Sequence, residues 1–130
     1  MKKWLWYWGP PVLWMITIFL LSARERTQVS EVYEWNFVFF KTLHVIEYAA
    51  LYFLLFRAFL KNNSNVSMRK SAWAKAFIVA FLYAASDELH QTFVPTREGK
   101  PRDIAIDTIG MFLMYSYSKY KYTFVKRFLK

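Results

Sequence analysis

The sequence predicts an all-α fold: an integral membrane four-helix bundle with both termini on the cytoplasmic side. Three observations predict it. Four apolar runs each reach the roughly 20 residues a helix needs to cross a bilayer. Basic residues gather at one set of ends of those runs, and all the acids at the other. The runs are charged at their ends and apolar in the middle, whereas an amphipathic soluble helix carries a charged stripe along its whole length. The 130 residues, 56% hydrophobic and 22% aromatic, read as one domain, 1–130, and not as a disordered chain. There is no cysteine, which excludes a disulfide framework and a thiolate metal site.

The first helix is expected at about 4–22, free of charge throughout. Pro10-Pro11 should kink it or mark its real start. Lys2-Lys3, an apolar core and Leu21-Ser22-Ala23 imitate a signal peptide, but the apolar run exceeds a usual signal core, so an uncleaved first helix is expected. An outer loop over 23–41 follows, with Glu25, Glu31 and Glu34 solvated. The second helix, 42–60, carries His44, Glu47 and Arg57. Residues 61–70 are polar and read as a cytoplasmic loop. The third helix, 71–90, carries Lys75, Asp87, Glu88 and His90. After a second outer loop, 91–102, the fourth helix spans 103–120 with Asp103, Asp107 and Lys119. The tail 121–130 alternates basic and aromatic residues, as an interfacial segment on the inner leaflet would.

Orientation follows from charge. With the N-terminus inside, the cytoplasmic end holds Lys2, Lys3, Arg57, Lys61, Arg69, Lys70, Lys75, Lys119, Lys121, Lys126, Arg127 and Lys130, and no acid. The outer end holds the remaining six basic residues and all nine acids. The positive-inside rule then places both termini in the cytoplasm of a multi-pass protein. Trp4, Trp6, Tyr7 and Trp8, with Tyr115, Tyr117, Tyr120 and Tyr122, supply an inner aromatic belt. A net charge of +9 on a soluble chain would point to nucleic acid. Here the basic residues flank apolar spans, so the expected partners are membrane lipids and not nucleic acid.

The outer end is where chemistry concentrates. Ionisable groups near a membrane are costly and mark function by default. Helical spacing puts Lys41, His44, Tyr48, Leu51 and Leu55 on one stripe, with Glu47 one turn from His44. In the third helix Asp87, His90 and Gln91 share a face, with Glu88 beside Gln91. In the fourth, Asp103 and Asp107 stack one turn apart, and Gly110 continues that face. A bundle would turn these faces inward and form one pocket, with Arg97 and Arg102 hanging from the loop above. Asp87, Glu88, His90, His44 and Glu47 are the candidate catalytic residues. Lys41, Tyr48, Gln91, Arg97, Arg102, Asp103 and Asp107 are the candidate substrate contacts.

Two chemistries fit these residue types. His44, Glu47, Asp87, Glu88 and His90 are metal-ligating types, and a divalent cation there could activate water. The same groups could act as general acid and base without metal. The arginines suit bidentate binding of a phosphate or carboxylate, and a lipid phosphate is the natural candidate. Plainer roles stand beside these: Asp103 as an N-cap, Asp87 or Glu88 paired with Arg97 or Arg102 to fix the loop, and Gly110 as a close helix contact. No spacing matches a standard metal motif such as H-E-x-x-H.

At these residues the chain resembles the VanZ family of small membrane proteins. The resemblance rests on Ser22 at the first helix end and on K-x-x-H-x-x-E-Y at Lys41, His44, Glu47 and Tyr48. It continues in S-D-E-L-H-Q-x-F-V-P-x-R from Ser86 to Arg97, and in D-x-x-x-D-x-x-G at Asp103, Asp107 and Gly110. It covers about 100 residues. One departure is Asp107, where many relatives carry Asn. The resemblance implies a bacterial cell-envelope protein in the cell membrane, of Gram-positive type. It also implies a link to lowered susceptibility to the glycopeptide antibiotic teicoplanin, without supplying a reaction.

Three functions fit these residues. The outer site could bind a lipid headgroup or lipid-linked cell-wall precursor and limit glycopeptide access. It could belong to a membrane hydrolase or transferase acting on a phospholipid or such a precursor, so whether the chain is an enzyme stays open. A small transporter is the third reading, opposed by the absence of ionisable groups across the inner half.

Overall fold

The structure, a computed structural model, describes residues 2–24, 31–62, 71–97, 99–125 and 127–128. These residues form five helices: α1 (Lys2–Ser22), α2 (Tyr33–Asn62), α3 (Ala72–Gln91), α4 (Pro101–Tyr120) and the short α5 (Tyr122–Val125). No strand occurs among the described residues. The expected cytoplasmic loop lies outside them over 63–70, as do Glu25 of the first outer loop and positions 126, 129 and 130 of the tail.

The helix α2 is the centre of the fold and packs on α1, α3 and α4. Side-chain pairs give the directions. Trp14 Nε1 donates to the Glu47 carbonyl at 2.9 Å, and Trp8 meets Phe59 edge-on at 5.0 Å between ring centroids, so α1 and α2 are antiparallel. Phe56 stacks on Trp73 at 3.9 Å while Tyr48 approaches Tyr83, so α2 and α3 are antiparallel. Lys41 meets Asp103 and His44 meets Asp107, in the same order along both helices, so α2 and α4 are parallel. The C-terminal ends of α1 and α3 and the N-terminal ends of α2 and α4 therefore share one side.

The interior contrasts small with large. Ala72, Ala76, Ala80 and Ala84 recur every four residues on α3 and are fully buried. Against them α2 buries Tyr48, Leu51, Tyr52, Leu55 and Phe56. Alanine on that ridge lets the backbones approach, and the aromatic rings fill the space left over. The same ridge ends in Asp87, Glu88 and Gln91, all buried. Outside, Leu13, Ile16, Leu20, Ile46, Ile78, Leu82, Ile109, Phe112 and Leu113 are exposed. Polar groups inside and large aliphatics outside invert the usual soluble pattern. Two stretches, Trp4–Ser22 and Tyr33–Lys61, are long and apolar enough to cross a membrane. The helices α3 and α4 have 20 residues each, but their buried polar residues dilute the apolar signal.

Three boundaries differ from expectation. The helix α2 begins at Tyr33, not at 42, because the aromatic stretch from Tyr33 to Phe40 contains no Gly or Pro to break it. Its 30 residues span about 45 Å, against a hydrocarbon core of about 30 Å, so its first turns stand clear of such a core. Pro10 and Pro11 lie inside α1 and do not mark its start. Proline in a helix interior removes a backbone donor and crowds the preceding turn. Here the preceding turn carries Trp6 and Tyr7, whose rings lie 6.0 and 5.5 Å from the Arg57 guanidinium. Finally, α4 opens at Pro101 behind Lys100, so Asp103 sits inside the first turn and is not the N-cap.

Candidate functional site

The shared end of the four long helices carries a stack of ionisable side chains. At its mouth is an open cavity of about 400 Å³ lined by Tyr33, Phe37, Lys41, Thr96, Arg97, Lys100, Arg102 and Asp103. Four cations and one carboxylate line it. Tyr33, Phe37 and Lys41 are spaced by four on α2 and so form one stripe. Arg102 is at the rim, its side chain 59% exposed, with its guanidinium 4.9 Å over the Phe37 ring and its Nε 3.5 Å from Asp103 Oδ1.

The floor of the mouth is an ion pair between Lys41 Nζ and Asp103 Oδ2 at 2.8 Å, with side chains only 9% and 4% exposed. One helical turn deeper, His44 Nδ1 is 3.3 Å from Asp107 Oδ1. That contact has ion-pair distance, but neither atom has an aligned hydrogen bond. Glu88 enters the same layer from α3. One donor atom each from His44, Glu88 and Asp107 lie within 4.8 Å of one another. Tyr48 closes the stack from below, fully buried, with its ring roughly parallel to His44 at 6.4 Å.

A second arm ties the stack to α1. Asp87 Oδ2 accepts from Ser22 Oγ at 2.8 Å and from Gln91 Nε2 at 2.9 Å. Arg97 reaches back over it, donating to the carbonyls of Arg24 and Leu21 at 2.7 and 3.0 Å and to Gln91 Oε1 at 3.4 Å. The loop that carries Arg97 turns through Thr96, at φ 65°, a region β-branched residues rarely adopt. Beyond it, Gly99 passes so close to the last turn of α3 that a Cβ there would collide with the Glu88 carbonyl and meet Thr92 Cγ2 at 2.8 Å. This approach lets Lys100 N donate to Glu88 Oε2 at 3.2 Å. Gly110 does the same for α2 and α4: a Cβ would overlap the Val45 carbonyl. That contact holds the acids of α4 against His44.

A family model described as VanZ/LLP1 matches residues 8–122. The chain belongs to the VanZ/LLP1 family. No curated protein and no solved structure matches it. The matched VanZ/LLP1 region contains every residue of the stack, from Ser22 to Asp107. Membership, with the two membrane-length apolar helices, makes this a membrane protein of VanZ type.

Within this VanZ/LLP1 chain the structure gathers Lys41, His44, Tyr48, Asp87, Glu88, Gln91, Asp103 and Asp107, all buried. Glu47 is half-buried and in electrostatic range of His44, Asp87 and Asp107. His90 is not among them. Its ring stacks on Phe19 of α1 at 4.6 Å, outside the trio of His44, Glu88 and Asp107. Helical phase turns His90 about 160° from Glu88, two residues before it, but leaves it about 60° from Asp87. Arg97 clamps α1 and Gln91 as well as lining the mouth.

Sequence reasoning gave Ser22 no role and passed over Tyr33, Phe37, Thr96 and Lys100. The 33-37-41 spacing was a usable signal, hidden by reading 23–41 as a loop. The Ser22–Asp87 bond, 65 residues apart in sequence, left no local signal.

Proposed function

We propose that this VanZ/LLP1 member crosses the membrane with all four long helices, as a single four-helix domain with both termini cytoplasmic. Its stack then lies at the outer face of the cell membrane. There it takes up the phosphate of a lipid headgroup or of a lipid-linked cell-wall precursor, and this uptake lowers susceptibility to teicoplanin in a Gram-positive host. The observation that carries the reading is the mouth: Lys41, Arg97, Lys100 and Arg102 converge on a 400 Å³ cavity that holds a single acid. Guanidinium and ammonium groups around a concave space suit a phosphate. The charge asymmetry of the sequence supports the outer placement.

A second reading, a membrane hydrolase or transferase acting on the same headgroup class, is favoured by the trio beneath the mouth. His44 with two buried carboxylates offers acid–base chemistry that a binding patch does not require. A transporter has less support, because the interior below Tyr48 is built from Leu51, Leu55, Ala76, Ala80 and Met111.

The test uses the full chain in nanodiscs with anionic lipid, alongside teicoplanin susceptibility at matched membrane abundance. Arg102→Ala removes a rim cation whose side chain is 59% exposed and which meets the fold at the Phe37 ring and Asp103 Oδ1. One lost charge-assisted contact is worth about 1.5–3 kcal/mol, so anionic-lipid retention should fall roughly 10- to 100-fold and protection should weaken with it. Unchanged retention in Arg102→Ala and in Lys100→Ala would reject the headgroup site.

A further inference from the structure

We propose that His44, Glu88 and Asp107 form a binding site for one divalent transition cation, Zn²⁺ or Mn²⁺. The inference does not depend on the headgroup reading, because it concerns the layer below the mouth.

The charge balance of that layer is its starting point. Among the described residues four carboxylates are buried: Asp87, Glu88, Asp103 and Asp107. The buried basic residues beside them are Lys41 and His44. Lys41 is committed to Asp103 at 2.8 Å. Asp87 is served by Ser22 and Gln91. Asp107 is fully buried, and neither of its carboxylate oxygens accepts a hydrogen bond. Glu88 is 3% exposed, and its Oε1 has no hydrogen-bond partner either. Buried carboxylates are kept only when they are hydrogen-bonded, paired or coordinated to a metal. Asp87 and Asp103 also keep one unpartnered oxygen each, but only Asp107, with both unpartnered, and Glu88, with one, gather at the His44 imidazole and leave room for a positive centre between them.

The geometry agrees. A tetrahedral site with arms of about 2.0–2.1 Å has edges of about 3.3–3.4 Å. His44 Nδ1 and Asp107 Oδ1 already stand at 3.3 Å without the alignment of a hydrogen bond, as two ligands of one ion would. Donor atoms of all three residues lie within 4.8 Å, so modest side-chain rotation closes the set. One imidazole and two carboxylates suit Zn²⁺ or Mn²⁺ better than Mg²⁺ or Ca²⁺, which prefer all-oxygen shells. Lys100 N, donating to Glu88 Oε2, supplies the kind of outer contact that orients a ligand.

The experiment uses the full chain in detergent, stripped with a chelator, reloaded with Zn²⁺ or Mn²⁺, desalted and measured for metal per chain. The wild type should retain one ion and show Zn²⁺-dependent thermal stabilisation. Co²⁺ substitution should give visible d–d bands. His44→Ala and Asp107→Asn should lose affinity on the order of 100-fold or more, beyond what loss of an outer contact gives. The isosteric Glu88→Gln should lose most of the thermal stabilisation. His90→Gln, on the far face, should keep the ion. A folded wild type that retains no ion overturns the site. So does loss of the ion in His90→Gln, or its retention in His44→Ala and Glu88→Gln. Wild-type loading and His90→Gln decide the matter even if the buried-site variants fail to fold. Lipid retention by Arg102→Ala is read separately in metal-free buffer, so failure of one proposal leaves the other standing.

Discussion

Breaking the Lys41–Asp103 pair on one side only should unfold the outer end, while removing both charges together should restore it. The two side chains are 9% and 4% exposed and 2.8 Å apart, so each is the other's main compensation. Arg102 Nε, at 3.5 Å from Asp103 on a side chain 59% exposed, is too distant and too wet to replace Lys41. Lys41→Met therefore leaves a buried carboxylate uncompensated, at a cost of about 3–5 kcal/mol, and Asp103→Leu leaves a buried ammonium at similar cost. The double variant Lys41→Met/Asp103→Leu leaves no charge behind and should return to within about 1 kcal/mol of wild type. The cycle then gives a coupling of several kcal/mol, far above the 0.3–0.5 kcal/mol scatter of about-independent sites. Reversible unfolding of the detergent-solubilised chain, followed by helical circular dichroism, reads all four corners. The double variant removes one cation and the single carboxylate of the mouth, so it should be folded and keep the mouth's net charge. Single variants within about 0.5 kcal/mol of wild type would show that the pair is hydrated, and the layered reading of the site would fail.

Two further perturbations test how the stack is held. Gly110→Ala places a Cβ against the Val45 backbone, with the carbonyl carbon at 2.9 Å and Cα at 3.1 Å, against about 3.5–4.0 Å for relaxed contact. Because the Cβ also overlaps the Val45 carbonyl oxygen, α2 and α4 must part by more than the carbon contacts alone require, costing about 3 kcal/mol and loosening His44 from Asp107; an unchanged melting temperature would deny the contact. Ser22→Ala deletes a donor to a carboxylate that is 3% exposed, so about 1.5–3 kcal/mol should be lost, together with protection of the α1 end against hydrogen exchange. Unaltered exchange at Leu20–Ser22 would argue that Arg97 alone holds that end.

What the sequence made legible was periodicity and charge. The stripe Lys41, His44, Tyr48, Leu51 and Leu55 is buried as its spacing requires, because a single helix face is a local property. The Asp103–Asp107 spacing likewise placed both acids opposite α2. Boundaries were less legible. Tyr33–Phe40 reads as loop when the eye follows acids and polar residues, yet only Gly or Pro would have stopped the helix there. The spacing that puts His90 on one face with Asp87 and Gln91 does not encode its tertiary neighbour, the Phe19 ring of α1. Tertiary ties such as Ser22 to Asp87, or the passage of Gly99 across Glu88, depend on how α1 and the outer loop dock, which no local pattern encodes.

The order of charge through the stack bears on why it sits where it does. Cations crowd the mouth, Lys41 and Asp103 form a neutral seam, and beneath it two carboxylates, Glu88 and Asp107, share one imidazole. The upper layer has an excess of cations and the lower an excess of carboxylates over its one imidazole. An anion in the mouth relieves the first and a cation among His44, Glu88 and Asp107 relieves the second. The seam couples them, since Lys41 both lines the mouth and faces the acids, while Asp103 continues the α4 face that carries Asp107. Each proposed ligand should therefore bind more tightly when the other is present, with the same coupling measured from either side. Asp87, Glu88 and Asp103 each keep one partnered carboxylate oxygen, whereas Asp107 has a hydrogen bond on neither. That deficit at Asp107, one turn below an open cationic cavity, is what the proposed cation would fill.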